Sequence, residues 1–364
     1  MDTAAQKASL PTPLLETHRA DRATIGEWFG CALPSDFGDW LAEYRFARET
    51  VALLDKNYRA YLSFAGADRV RFLNAIFTND IKTLKTGQGI VSLFLNPQGR
   101  IQAEIETYAE ADRMLCISFA EIREKLVPAL DHYIIMDDVT LTDESARRGT
   151  LALEGPRAAE VVRHLTQIDL GAMAELEWRA GAVGPLPCRI VRRSPGGNPG
   201  AEFICEQSDL AQLWNTLRDA ARAAGGGPVG YTALNSLRLE AGVPWFGYDF
   251  GEKQIPHEAG LEKTHISYTK GCYTGQEIVE RVRSRGQVNR VRRLFRLTAP
   301  EIPKPDEAIL FESKEVGALT RAAYSPAFAS NIANGYVRRE QGEPGTQVII
   351  AGSTATVVSP RPQE

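Results

Sequence analysis

The sequence has no stretch approaching about 18 consecutive apolar residues, so no membrane-spanning helix is expected. It also lacks any C-x-x-C pair. The five cysteines, Cys31, Cys116, Cys188, Cys205 and Cys272, are odd in number and far apart. That spacing argues against a disulfide framework and against a structural zinc site. Histidine is equally scarce, five residues scattered along the chain, and no metal site is expected. No basic segment followed by an apolar core opens the chain, which predicts no secretory signal and a cytoplasmic location. An excess of positive charge is missing too. The net charge of −4 gives no global attraction to nucleic acid or to an anionic membrane. There is no G-x-x-x-x-G-K-[ST], hence no P-loop. The papain-type C-G-x-C-W signature is missing around Cys272, and no histidine follows that cysteine. His257 and His265 precede it, so a Cys-His pair has no support beyond their nearness in sequence.

What remains is ordinary globular composition, 43% hydrophobic and 24% charged over 364 residues, enough for two or three domains. Residues 1–38, punctuated by Pro11, Pro13, Pro34 and Gly38, read as an arm with one short helix. Apolar positions from Trp40 to Leu54 recur at helical spacing. A strand over Tyr58–Phe64 and a helix over Asp68–Phe77 follow. Ile90–Leu95 and Ile101–Tyr108 flank Asn96-Pro97-Gln98-Gly99-Arg100, turn chemistry that predicts a hairpin. A second mixed unit starts near Asp138. It includes strands flanking the turn-rich SPGGNPG and a helix over Leu210–Ala224, and ends in Gly225-Gly226-Gly227-Pro228, the best linker candidate. Tyr231–Gly242 reads as a helix on which Arg238 borders the apolar stripe. That guanidinium needs a partner, either a carboxylate or a ligand. From Val288 onward, short apolar runs between Pro, Gly and charged turns predict a small β-barrel or jelly roll.

The segment Lys270-Gly271-Cys272-Tyr273-Thr274-Gly275-Gln276-Glu277 carries the most chemistry. Thr274 and Glu277 fit a capping box, T-x-x-E, and would place Cys272 just before a helix N-terminus, where free amides favour a thiolate. The bland alternative is a tight turn in which Cys272 merely packs. Between residues 270 and 296 lie Lys270 and arginines 281, 283, 285, 290, 292, 293 and 296, against Glu277 and Glu280. Such a run is either a solvated face or a groove for a polyanion, such as a polyglutamate tail or an RNA backbone.

KGCYTGQE with RVRSRGQVNR behind it resembles the signature of the folate-binding YgfZ family, paralogues of the glycine-cleavage T-protein, an aminomethyltransferase. Supporting segments are Phe77-Thr78-Asn79-Asp80, Leu95–Arg100, Leu153-Glu154-Gly155-Pro156, Leu237–Gly242, Phe246–Asp249, Pro256–Leu261, Gly317–Thr320 and Gly335-Tyr336-Val337. The resemblance spans roughly residues 36–358. It implies an α+β, three-domain ring. A discontinuous folate-binding domain (39–137 and 228–287) and a second domain (138–227) precede a C-terminal β-barrel (288–364), and an arm (1–38) precedes them all. It further implies tetrahydrofolate, or a one-carbon derivative, as cofactor, with Arg238, Asn79, Asn96, Tyr248, Glu258, Tyr273, Gln276 and Asn198 in the folate site. Cys272 and Lys270 would line the folate channel as the chemical residues. Asn198 falls where the T-protein carries a pterin-binding glutamate, so that charge is missing. Gly99–Glu104 stands where the T-protein has G-G-x-x-D-D, with Ala103 and Glu104 replacing the aspartates, which argues against aminomethyl transfer.

Three functions follow as expectations. The leading one is an accessory factor for iron–sulfur assembly or client proteins, such as tRNA-modifying enzymes. The second is a folate-dependent one-carbon transferase using Glu104 or Glu258 as acid/base. The third is an RNA- or protein-binding module with Cys272 structural.

Overall fold

The computed structural model describes residues 9–193, 200–286 and 288–361. The N-terminal segment is more ordered than an arm with one helix. Strand β1 (Leu10–Pro11), helix α1 (Leu15–Ala20) and the hairpin of β2 (Thr24–Trp28) and β3 (Cys31–Asp36) make a small layer with β3 central. Buried polar bonds fasten it: Thr12 Oγ1 and His18 Nε2 each reach Asp55 at 2.7 Å. At the hairpin tip Phe29 and Gly30 have φ of 54° and 69°, a two-residue turn with both residues left-handed. A side chain in that region costs about 1–2 kcal/mol. Burial of the Phe29 ring against Tyr58, centroids 4.3 Å apart, offsets it.

Helix α2 (Trp40–Glu49) is capped by Asp39, whose carboxylate accepts from the amides of Leu41 and Ala42. The helical spacing runs on to Leu54, yet the chain becomes strand β4 (Ala52–Asp55), because long-range pairing overrides the local pattern. Strand β5 (Arg59–Ala65), helix α3 (Arg69–Ile76), β6 (Gly89–Leu95), β7 (Ile101–Ala109), β8 (Arg113–Phe119), helix α4 (Arg123–Asp131) and β9 (Thr140–Asp143) follow. Their five strands form one sheet in the order β6-β7-β8-β5-β9.

The next unit comprises β10 (Arg148–Glu154), α5 (Ala158–Thr166), β11 (Trp178–Val183), β12 (Leu186–Arg192), β13 (Gly200–Glu206), α6 (Leu210–Ala223) and β14 (Gly227–Pro228). Its sheet has the order β11-β12-β13-β10-β4-β14, so β4 crosses over from the preceding stretch of chain. The glycine run is therefore no linker. Gly227 and Pro228 pair with Ala52 and Leu53, and a Cβ on Gly226 would stand 1.9 Å from the Val51 carbonyl oxygen. Only glycine lets the backbones approach that closely.

Helix α7 (Tyr231–Glu240) is buried on nearly every face between the arm, α2 and the C-terminal unit. The short α8 (Pro256–Ala259) and α9 (Gln276–Arg285) lead into the barrel. Strands β15 (Arg290–Leu297), β16 (Ala308–Phe311), β17 (Lys314–Ser325), β18 (Ser330–Arg338), β19 (Gln347–Ile350) and β20 (Ser353–Val358) close in the order β15-β18-β17-β16-β19-β20. Closure removes the sheet edges and encloses Phe295, Ile309, Leu319, Val337 and Ile350. The result is the α+β architecture with a terminal barrel that the sequence led us to expect. Among the described residues no helix is long and apolar enough to cross a membrane.

Candidate functional site

Strand alternation fixes the polarity of the site. On β7, Ala103 and Ile105 pack into the apolar core with Leu62, Phe94 and Leu130, so Glu104 and Glu106 face the other way. Both carboxylates border a central cavity of about 710 Å³. Facing β7 across it are α7 and the loop after it. Phe29, Tyr58, Phe119, Tyr231 and Trp245 give the cavity an aromatic wall. A cavity of this size, with aromatic walls on one side and fixed charged groups on the other, can enclose most of a small organic ligand.

Glu104 is held from outside its own sheet. His265 Nε2 lies 2.9 Å from its Oε1, and Thr264 Oγ1 lies 2.7 Å from His265 Nδ1. With Nε2–H donating to the carboxylate, Nδ1 is free to accept the threonine hydroxyl, so one tautomer satisfies both bonds. Among the described residues the second carboxylate oxygen has no protein partner. The arrangement is a carboxylate, oriented by a buried histidine, at the wall of a large cavity. It can accept or return a proton.

A buried ionic cluster forms another part of the wall. Glu202 on β13 takes Arg59 bidentately at 2.5 and 2.8 Å and Lys56 at 3.1 Å. Arg193 reaches Glu106 at 3.0 Å, Tyr108 donates to Glu106 at 2.9 Å, and Lys56 also reaches Glu154 at 2.6 Å. Burial pushes the Glu202 carboxyl up, but Arg59 above all, then Lys56 and Arg193, override it and hold it at about 2. A carboxyl held below its unfolded value of about 4.3 stabilises the fold above that pH, and the contribution is lost as pH falls toward 2. Wild-type stability is therefore expected to decline on acidification below about pH 4.3. Urea midpoints measured across pH 3 to 7 check this, and Glu202→Gln should flatten the decline.

Arg238 resolves into a carboxylate pair that also touches the cavity. Its Nη1 donates to Asp249, and Nε and Nη2 donate to Asn235 Oδ1 at 3.0 and 2.9 Å. The guanidinium lies over the Trp245 ring at 4.6 Å, and burial lowers its pKa despite Asp249. Asp249 in turn accepts from the Trp245 amide at 2.9 Å and from Thr320 of the barrel at 2.5 Å.

The KGCYTGQE segment is organised differently from the capping-box expectation. Helix α9 starts at Gln276 with Gly275 as its N-cap, φ 81°, and no side chain caps it. Glu277 pairs forward with Arg281 at 2.7 Å. A Cβ on Gly275 would stand 2.6 Å from the Asn96 carbonyl oxygen, so the loop is docked on the β6–β7 turn, where a side chain would collide. Cys272 thus lies several residues outside the helix. Lys270 does not face the central cavity. Its ammonium donates to the carbonyls of Phe77, of Asn74 at 2.6 Å and of Asn79 at 3.0 Å, and the Thr274 amide donates to Ala75 O at 3.2 Å. Together they satisfy the open carbonyls at the end of α3. Burial draws the Lys270 ammonium down to about 8. Lys270→Met, which strands these acceptors, is expected to cost roughly 1–3 kcal/mol in a urea titration. Lys270→Arg should not rescue it, since a planar guanidinium cannot point three donors at this spacing.

With the Lys270 ammonium and the Tyr273 ring both turned inward, Cys272 is left exposed, while the other four cysteines are buried. Burial pushes Cys31, Cys116 and Cys205 up to about 12 and Cys188 up to about 11, which keeps them as packing thiols.

Among the described residues expected to hold folate, Arg238 alone borders the central cavity. Asn79 donates to Val91 O and Thr264 O, and Asn96 accepts from the amides of Gln98 and Arg100, so both amides hold local backbone. Tyr248 accepts from the Phe29 amide at 2.9 Å, and Tyr273 is buried under Lys270 in a neighbouring apolar cluster. Gln276 opens α9. Glu258 caps α8 through the Ile255 amide and pairs with Arg100 and Arg290, in a second cavity. Asn198 lies outside the described residues. Residues the motif reading passed over are Arg59, Glu106 and Glu202; His265, weighed there only beside Cys272, instead holds Glu104. The available signal was charge at regular positions inside otherwise apolar strands, as in IQAEIETYA and GAEFICE, since such charges need buried partners.

Residues 14–268 match the GCVT N-terminal domain, and residues 290–362 match the glycine cleavage T-protein C-terminal barrel domain. The chain belongs to the glycine cleavage T-protein family. An aminomethyltransferase from Moorella thermoacetica is 30% identical, covering 88% of this chain and 88% of its own length. One from Desulforamulus reducens is 28% identical over 93% of each. The crystal structure of glycine cleavage system aminomethyltransferase T from Bartonella henselae superposes with a TM-score of 0.87, covering 97% of this chain and 99% of that one, at 22% identity. Within the T-protein fold, the altered G-G-x-x-D-D stretch has a structural meaning. Ala103 faces the core, whereas Glu104 faces the cavity.

Proposed function

We propose that this chain binds tetrahydrofolate in the central cavity and transfers a one-carbon group of the aminomethyl type, with Glu104 as its acid/base. The observation that carries this reading is Glu104 facing the cavity in the grip of His265. Its relatives' names point the same way. Bound tetrahydrofolate would supply its N5 and N10 nitrogens as carriers of the one-carbon unit. The protein's part is to wall those atoms with aromatic rings, exclude water, and present one oriented carboxylate. Ala103 thus weighs less against transfer than the bare replacement of aspartate suggests. Calorimetric titration with tetrahydrofolate, followed by an assay for formation of 5,10-methylene-tetrahydrofolate, tests the reading. Absence of binding would refute it outright.

A second reading is favoured by the exposure of Cys272 on a loop anchored to α3 on both sides, through Lys270 and the Thr274 amide. In it the chain is a YgfZ-type folate-binding accessory factor for iron–sulfur proteins. One thiol cannot ligate a cluster alone, so a partner protein must supply the remaining ligands. Cys272→Ala, tested in cells, separates the readings. Loss of cluster-dependent tRNA modification with the protein still folded supports the second, and unchanged modification leaves the first.

A further inference from the structure

The aromatic wall of the central cavity is built around a residue of the N-terminal hairpin. Tyr58, Trp245, Phe119 and Tyr231 place their ring centroids 4.3, 5.0, 5.6 and 5.8 Å from that of Phe29. Phe29 is thus the ring that the other four share. Its backbone is an odd place for a phenylalanine. It is the first residue of the two-residue β2–β3 turn, with φ 54°, where asparagine or glycine is the ordinary occupant. A left-handed bulky residue kept at a cavity wall points to a task there. The turn is also pinned. The Phe29 amide donates to the Tyr248 hydroxyl at 2.9 Å, and the Leu10 amide donates to Gly30 O at 2.9 Å. Tyr248 is held in its turn by the Arg321 guanidinium, 4.7 Å over its ring. The next residue, Asp249, takes Arg238. Tyr248 therefore acts on the cavity through Phe29. The hairpin delivers a single ring, 3% exposed, to the middle of the wall. Without that ring, a space bounded by four aromatic side chains would open into the cavity. A dry apolar space of that kind accepts a benzene-sized group.

We propose that Phe29 sets the depth of the cavity at its aromatic end, admitting a flat system of two fused rings and rejecting one of three, with Tyr248 as its positioning residue. The inference rests on the folate reading and extends it to ring-size specificity. The pterin of a folate has two fused rings, and the isoalloxazine of a flavin has three. Both are flat and both stack on aromatic walls, so stacking alone does not separate them. Volume does. The third ring needs the space that the Phe29 side chain fills, and a packed wall yields little to an oversized group.

The test is calorimetric titration of the full chain with tetrahydrofolate and, separately, with riboflavin. The wild type is expected to prefer tetrahydrofolate. Phe29→Gly, which frees the turn of its left-handed side chain, should narrow the ratio of the two affinities by about 10–200-fold, the discrimination that one apolar group in a pocket supplies. Phe29→Asn removes the ring while giving the turn its preferred Asn-Gly pair, and should narrow the ratio likewise. Tyr248→Phe keeps the Phe29 ring but not its anchor, and a smaller shift in the same direction is expected. A residue that only packs would change unfolding by urea and leave the ratio alone. Equal affinities in the wild type, or a ratio unmoved in Phe29→Gly and Phe29→Asn, overturn the role of Phe29 and leave the folate reading intact. Failure of both variants to fold also overturns it, since Phe29 is then a core residue. If the wild type does not bind tetrahydrofolate, the folate reading itself falls, and the ring-size limit with it.

Discussion

Glu104→Gln is expected to lower one-carbon transfer by about 10²–10⁴-fold, the range for loss of a positioned acid/base. Tetrahydrofolate affinity should change far less, because the amide keeps the shape and the contact to His265 at 2.9 Å. Single-turnover rates and calorimetric affinities, measured side by side, make the separation. Glu104→Asp is informative in another way. It keeps the charge but withdraws it by one methylene, and loss of about 10²-fold is expected from misplacement alone. Ala103→Asp adds a carboxylate at the neighbouring position, yet no gain in activity should follow. The new carboxylate would point into the apolar core beside Phe94 and Leu130, and the protein should lose stability. Full activity in Glu104→Gln would dismiss the acid/base role.

Arg238→Met carries the largest expected stability effect. It leaves Asp249, 1% exposed, without its cationic partner, and breaking such a buried pair costs roughly 3–5 kcal/mol. The damage should reach beyond α7. Asp249 also holds the Trp245 amide and Thr320, so it joins the cavity wall to the barrel. Urea unfolding is expected to shift strongly, and tetrahydrofolate binding to be lost. The double change Arg238→Met with Asp249→Asn removes the stranded charge and should recover much of the stability. Ligand binding should stay weak in that double variant if Arg238 contacts the ligand. Normal binding there would reduce Arg238 to a structural role.

Local chemistry made many elements legible in advance. The β6–β7 hairpin follows from Asn96-Pro97 and Gly99, and α6 from its amphipathic repeat. The barrel follows from short apolar runs between turns. Failures occurred where distant chain segments compete with local preference. Val51–Leu54 fits the face of a helix but is claimed by pairing with Leu151–Glu154. The T-x-x-E of Thr274 and Glu277 fits a capping box, but the Thr274 amide is taken by Ala75 of α3 and the helix begins later. Gly225–Pro228 has the composition of a linker and the position of a sheet edge.

The sequence alone determined the family pattern, the α+β class, the barrel, and the parity along β7 that sets Glu104 and Glu106 on one face and Ala103 on the other. Parity follows from the two-residue period of a strand and needs no partner. Only the tertiary structure decided which face meets the cavity, that His265 reaches Glu104, and that Arg238 spends its charge on Asp249. It also decided that Lys270 closes α3 while Cys272 is left exposed. These contacts join residues far apart in the chain, across sheets whose docking no local propensity encodes.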